Sequence, residues 1–370
     1  MGQEPLGVGI IGYGSSARVF HIPFISASPS FQLRAVVQRQ TRAGQPDAAI
    51  ELPDVTLYRS VDDLLQDDKV DVVIVTTPPA SHFQLASEAL ESGKHVVVEK
   101  PFTPTYDEAE KLVQRASKSN KLLTVYQNRR WDSDFVALSN LKARGVLGRV
   151  VDFDSHFDRF RPEAPVHTWK ADPGPGNGAI YDLGSHLIDQ AVHLFGMPER
   201  VTGFVYSQRS ATSNPTNLDD SFTVLLHYAD GMLATIRAGV MSPQQEQLRF
   251  WVRGDRGSFR KTGFDPQEAQ LKKGLGPSDP GFAVEEDQHK RGFVSLAVER
   301  DGAVTISEEE VVDDVPLEQR TYAEFYRRLA LAMRAGDASL LPVAPEEAAQ
   351  VIRLVELVKE SSALGRTLQV

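Results

Sequence analysis

Short apolar runs recur through the first third of the chain, at Leu6–Ile11, Leu33–Val37, Val70–Val75, His95–Val98 and Leu122–Val125, with helix-like segments such as Phe83–Glu91 between them. Runs of this length read as buried strands, and their alternation with helices predicts a parallel sheet. The punctuation agrees: Ser60 with Asp63 and Thr105 with Glu108 have capping-box spacing, and Gly93 stands where a helix stop is needed. Residues 1–126 are therefore predicted to form an α/β domain with a doubly wound parallel sheet.

From about Gln127 the pattern changes. Strand-like runs at Val150–Phe157, Val201–Ser207, Phe222–Tyr228, Leu233–Ala238 and Leu248–Arg253 follow one another with few helices between, and Asp230-Gly231 is a hairpin signal. Residues 127–370 are predicted to be an α+β domain with a large, mainly antiparallel open sheet. An amphipathic helix, Glu346–Leu364, packs on it with Val351, Leu354, Val355 and Val358 on one side. The stretch from Phe264 to Pro316, with its acidic run Glu308-Glu309-Glu310, reads as a long excursion, partly loop, with no assignable chemistry.

Composition narrows the function classes. The 370 residues are 41% apolar, and 40 Lys and Arg against 50 Asp and Glu give a net charge of −10 with no basic stripe, so no nucleic-acid partner is expected. No apolar run approaches a membrane span, and the N-terminus lacks a basic patch followed by an apolar region, which together predict a soluble, cytoplasmic protein. The absence of cysteine excludes disulfides, thiolate metal sites and cysteine nucleophiles. The histidines offer no H-E-x-x-H pattern, and no metal site is expected.

The first strand runs into Gly12-Tyr13-Gly14-Ser15-Ser16-Ala17, a G-x-G-x-x-A turn between strand and helix. Gly12 permits the tight turn, Gly14 lets the backbone approach a pyrophosphate, Ala17 allows close helix packing, and the helix start at Ser15 and Ser16 offers amides to phosphate. This is the fingerprint of a Rossmann dinucleotide site. NAD binders usually place an acid after the second strand, but here the chain reads Val37-Gln38-Arg39-Gln40-Thr41-Arg42. A carboxylate would repel a 2′-phosphate and Arg39 can pair with it, so NADP is favoured, with NAD possible. Thr76, Pro78 and His82 follow the fourth strand, and Glu99, Lys100 and Pro101 the fifth, at the carboxyl ends where ligands bind.

These motifs, with Gly178-Ala179-Ile180-Tyr181-Asp182-Leu183-Gly184-Ser185-His186, resemble the Gfo/Idh/MocA family of nicotinamide-dependent sugar and polyol oxidoreductases across nearly the whole chain. The resemblance implies that Lys100, Asp182 and His186 carry the chemistry. Pro101 cannot join a ladder, so Lys100 is expected to project from a strand end, and either Lys100 or His186 can act as the base. Asp189 and His193, further along the same stripe, are read as structural. Tyr126, Asn128 and Arg129, then Arg159 and Trp169, resemble the substrate side of a branch related to NADP-dependent scyllo-inositol dehydrogenases. A small-molecule sugar or polyol substrate follows, together with a homodimer or homotetramer built through the open sheet. The competing class is a regulator that senses nicotinamide nucleotide without turning over substrate.

Overall fold

The computed structural model describes residues 4–370 apart from 42–43, 165–168, 210–215, 217, 288–289, 291, 301–302 and 312–315, and apart from the side chains of Trp169, Arg300 and Glu318. The chain divides into two compact units. The first comprises the residues up to Asn128 with Gln267–Ala283 and Thr321–Gln350, segments that lie inside the stretch 127–370. The second comprises Arg129–Pro266, Val284–Arg320 and Val351–Val370.

The first unit is built on six strands, β1 (Leu6–Ile11), β2 (Phe31–Val37), β3 (Thr56–Tyr58), β4 (Val72–Val75), β5 (His95–Val98) and β6 (Leu123–Val125). They pair in the order β3-β2-β1-β4-β5-β6, every pair parallel, as the alternating pattern predicts. The order reverses between β1 and β4, the switch point at which such sheets bind ligands. β4 is four apolar residues, all buried, as a strand covered on both faces must be. Both expected helix caps are present: Ser60 Oγ accepts from Asp63 N–H at 3.2 Å and Thr105 Oγ1 from Glu108 N–H at 3.3 Å. β3, only three residues at a sheet edge, was not foreseen, and β2 starts two residues early with Phe31 and Gln32.

The second unit carries β7 (Val150–His156), β8 (Arg200–Tyr206), β9 (Ser221–His227), β10 (Leu233–Ala238), β11 (Leu248–Gly254), β12 (Gly257–Thr262), β13 (Gly292–Arg300), β14 (Ala303–Glu310) and β15 (Leu368–Gln369). They form one sheet in the order β14-β13-β12-β11-β7-β10-β9-β8-β15. Only β7 and β10 pair in parallel; the remaining pairs are antiparallel. Inward residues such as Phe153, Leu226, Ile236 and Phe250 share a core with Leu187 and Ile188 and with Val351, Leu354, Val355 and Val358 of the closing helix. On the opposite face Phe204, Tyr206 and Trp251 remain exposed.

The stretch from Phe264 to Pro316 is an excursion in its earlier part, where Gln267–Ala283 belongs to the first unit and carries a helix, Gln267–Lys272, and then returns to the second sheet as the hairpin β13–β14, which was not expected. The acidic run is the end of β14, the outermost strand, where charge discourages pairing with another sheet edge. Among the described residues no helix is long and apolar enough to cross a membrane.

Candidate active site

β1 ends where the glycine turn begins. Gly12 has a φ of +103°, and a Cβ there would lie 3.0 Å from Thr76 Oγ1, whose hydroxyl donates to the Ile11 and Gly12 carbonyls at 3.1 and 3.2 Å. Gly12 is thus required by the chain itself. Gly14 is different: its φ is not positive, and a Cβ placed on it meets nothing within 4 Å. Among the described residues no contact demands a glycine there, and the open space suits a pyrophosphate brought against the backbone. Ser15 is exposed, and Ala17 is fully buried at the start of a π-helical turn, Ala17–His21.

At the adenosine end, Gln38 is occupied in building the loop, with Nε2 donating to Pro46 O at 2.8 Å and Oε1 accepting from Ala48 N–H at 2.9 Å. Arg39 beside it is exposed, and the exposed Arg59, just past β3, donates to Gln38 O at 2.9 Å. Two cations therefore flank this strand end; Arg42 lies outside the described residues.

Thr76 and the exposed Pro78 follow β4. His82 is buried between the ends of β4 and β5, its ring nitrogens 2.8 Å from Thr77 O and 3.0 Å from Pro101 O. Burial holds its basicity below the usual range despite those carbonyls. A neutral ring has one N–H and donates to one of these carbonyls at a time.

Glu99 follows β5 directly and is itself followed by half-buried Lys100 and a cis Lys100–Pro101 bond. Glu99 Oε1 accepts from the Ser16 hydroxyl and from His21 Nε2–H, the latter at 3.0 Å, and Oε2 accepts from Lys100 N–H at 2.9 Å. Burial pushes this carboxyl up, but the hydrogen bond and charge of His21, the Lys100 ammonium and the Ser16 hydroxyl outweigh it and hold it at about 2. Tyr126 is buried beside the cluster, its ring 4.3 Å from that of His21 and its hydroxyl donating to Phe20 O at 2.7 Å.

In the second unit, Gly178 (φ +102°) faces Asp219 so closely that a Cβ would fall 2.1 Å from Asp219 Oδ1. The Asp219 carboxylate accepts Ile180 N–H and its carbonyl accepts Ala179 N–H, both at 2.9 Å, which pins the start of a second π-helical turn, Ile180–Gly184. An α-helix, Ser185–Phe195, continues from it. Asp182 is half-exposed and accepts from Lys170 Nζ at 3.0 and 3.1 Å, while His186, one turn on, is buried. Asp189 takes both arms of buried Arg130 at 2.7 and 2.8 Å, and the His193 ring packs 6.0 Å from that of Phe135, which gives both a structural place.

Of the substrate-side candidates, Asn128 is buried at the end of the first unit. Arg129 donates to Asp132 at 3.1 Å, and its guanidinium lies 4.7 Å from the Phe157 ring, which also receives Arg159 at 4.6 Å. Phe157 stacks on Phe264 at 4.1 Å. The Trp169 side chain lies outside the described residues.

Comparison with known proteins adds identity to this geometry. Residues 6–127 match the model of the oxidoreductase family's NAD-binding Rossmann fold, and residues 142–370 that of the same family's C-terminal α/β domain. The chain belongs to the Gfo/Idh/MocA oxidoreductase family. Within that family it is 38% identical to an uncharacterized oxidoreductase of Schizosaccharomyces pombe, covering 99% of this chain and 100% of that one. It is 33% identical to scyllo-inositol 2-dehydrogenase (NADP(+)) IolW of Bacillus subtilis, covering 99% and 96%. The solved structure of yvaA from Bacillus subtilis superposes with a TM-score of 0.88 at 33% identity, covering all of both chains.

The protein is thus an oxidoreductase of this family, and several residues that contact the candidate positions lie outside the motifs read from the sequence. Lys170, Asp219 and Arg59 act through neighbours distant in sequence. So does Arg249, which is fully buried and donates to Ser155 Oγ at 2.9 Å and to Gln190 Oε1 at 2.7 Å, while Gln190 Nε2 donates to Arg129 O at 2.7 Å. Only a strand position with an arginine on the inward face hinted at it.

Gly14→Ala separates the two glycines. It should leave the melting temperature unchanged or slightly raised, because the φ permits alanine and Gly→Ala at such a site stabilises by about 0.4–1 kcal/mol. NADPH affinity, followed by nicotinamide fluorescence, should fall about tenfold or more as the Cβ meets the pyrophosphate. Undiminished affinity would show that the open space is not the phosphate site.

Proposed function

We propose that the protein reversibly transfers hydride between NADP and a secondary alcohol of a sugar or cyclic polyol, of the inositol kind. The observation that carries this reading is the shared Glu99 carboxylate, which ties Ser16 of the glycine turn to the backbone of Lys100. A proton-transferring lysine is thereby fixed to the same support as the cofactor's phosphate turn. The names of relatives support the substrate class: one is a scyllo-inositol 2-dehydrogenase (NADP(+)), another, 27% identical, a galactose 1-dehydrogenase.

When bound, the nicotinamide supplies or accepts the hydride. Lys100 polarises or deprotonates the reacting hydroxyl, and His186 acts as acid or base. Asp182, already holding the Lys170 ammonium, orients the substrate or the proton relay. Arg129 and Arg159, stacked on one phenyl ring, present donors to hydroxyls, with Asn128 and Trp169 completing the polyol side. Residues 1–126 serve as the dinucleotide domain, and 127–370 as the substrate-binding and oligomerisation domain. Retention of both Lys100 and His186 favours turnover over nucleotide sensing.

A panel of inositols, aldoses and ketoses with NADP and NAD, read at the reduced-nicotinamide band, tests the reaction. Lys100→Ala should lower kcat by about 10²–10⁴-fold while changing NADPH affinity by no more than about threefold. Full activity in that variant removes the assignment.

Cofactor choice turns on Arg39, with Arg59 beside it. Arg39→Asp should move the ratio of kcat/KM for NADP over NAD towards NAD by about tenfold or more, since one charged hydrogen bond is lost and a repulsion gained. A wild-type preference for NAD would refute the NADP reading at once.

The exposed Phe204, Tyr206 and Trp251 on the outer face of the second sheet support association of two or four copies through that face. Light scattering should give a dimer or tetramer mass for the unaltered protein and a monomer for Trp251→Glu. A monomeric wild type at micromolar concentration rejects the interface.

A further inference from the structure

His21 is fully buried, and both of its ring nitrogens are engaged. Its Nε2 lies 3.0 Å from Glu99 Oε1; a carboxylate can only accept, so Nε2 carries the hydrogen. Nδ1 lies within hydrogen-bond distance of the Tyr326 hydroxyl, at 2.7 Å. Tyr126 packs against the ring face at 4.3 Å. Since the ring is held at both edges and on one face, it cannot turn without breaking a hydrogen bond.

We propose that His21 is a positioning residue, which through the Glu99 carboxylate locks the start of the cofactor helix and the backbone of Lys100 into one arrangement. The proposal rests on the nicotinamide reading above and names a group that neither touches the hydride path nor belongs to the motifs that reading used. Its geometry depends on a turn with an extra residue. His21 closes the π-helical segment Ala17–His21, where Ile22 N–H reaches back to Ala17 O.

The chemistry follows from what Glu99 becomes without its donor. The groups facing it are Ser16 and His21 from the turn after β1, Lys100 on its own strand end, and Tyr126 after β6. His82 from the helix after β4 and Tyr326 from the helix Ala323–Ala335 complete the set. With His21 gone, burial favours the neutral acid. A protonated carboxyl donates where it now accepts, so the Ser16 hydroxyl or the Lys100 N–H loses its partner. Nicotinamide affinity and turnover should then depend on pH in a range where the unaltered protein's do not.

Two variants that both lack the imidazole isolate the donor: His21→Gln, whose amide can still donate to Glu99, and His21→Leu, which cannot. NADPH affinity measured by fluorescence at neutral pH should stay within about threefold of wild type in the Gln variant and fall about tenfold or more in the Leu variant. Without cofactor, the gap in melting temperature between the two should widen as pH rises from about 5 to about 8, because only the Leu variant must then hold an anion lacking that donor. A cavity alone gives a gap independent of pH. Equal affinities together with a pH-independent gap overturn the proposal. Should the Leu variant fail to fold, Glu99→Gln reads the same contact from its other end: about tenfold weaker NADPH binding supports the clamp, and unchanged binding overturns it. Failure of the unaltered protein to bind NADPH would count against the nicotinamide reading, while the melting-temperature gap would still decide on His21.

Discussion

A carboxylate removed from water must receive its donors from the protein, at a penalty of several kcal/mol if it does not, and the first unit is arranged around that demand at Glu99. The turn after β1 contributes Ser16 and His21, and the chain just after β5 contributes Lys100 N–H. The fourth participant comes from 305 residues beyond His21, in Tyr326. This explains why Thr321–Gln350 belongs to the first unit although it follows the second sheet in sequence. Its helix, Ala323–Ala335, completes the polar shell with Tyr326 and packs Phe325 edge-on against Tyr126 at 4.8 Å. One buried charge thus couples the glycine turn after β1, the chain just after β5 and a late helix.

The second unit contains charge at greater density. Arg249 sits over the Phe250 ring at 3.9 Å with its Nε 3.7 Å from Asp134, too far for a hydrogen bond. Burial, with Asp265 and Asp134 nearby, pushes the Asp132 carboxyl up to about 7 against the pull of Arg129 and Arg249. Buried ion pairs of this kind contribute little net stability compared with well-packed apolar residues, so their consequence is positional. The line Ser155–Arg249–Gln190–Arg129 runs from the sheet's inner face through the helix Ser185–Phe195 to the segment expected to meet substrate. It fixes the register of that segment against the helix that bears His186.

How much of this was legible in the sequence depended on how local the cause is. β1 and β5 begin and end where the expected runs do, because their interiors are continuously apolar and buried. The Asp230-Gly231 turn closes as expected, with Gly231 at φ +84° and Tyr228 N–H on Met232 O at 3.1 Å. β12 and β14 escaped notice for the opposite reason: Gly-Ser-Phe-Arg-Lys-Thr buries only alternate positions, the acidic end of β14 is exposed throughout, and a run of charge looks like loop until a neighbour pairs with it. The glycine turn and the positions of Lys100, Asp182 and His186 stood out because each motif is contiguous. Tyr126, which the family resemblance places on the substrate side, donates its hydroxyl to the Phe20 carbonyl, a partner 106 residues away that no local spacing reveals. Lys170, Asp219, His21 and Arg249 share that property, being paired across long separations.

The two glycines of the turn and the two π-helical turns illustrate one distinction. Gly12 is explained by the protein alone, since its φ and the Thr76 hydroxyl leave no room for a side chain. Gly14 is not: it stands in a helix-starting position that would accept alanine at a small gain in stability, and a Cβ there meets none of the described residues within 4 Å. The π-turns Ala17–His21 and Ile180–Gly184 are locally unfavourable departures from α-helical hydrogen bonding. Each is held by a carboxylate elsewhere in its own unit, Glu99 for the first and Asp219 for the second. Where local preference is violated and a distant polar group sustains the violation, packing does not account for the arrangement, and the side chains so displaced, His21 and Asp182, acquire positions that a regular helix would not give them.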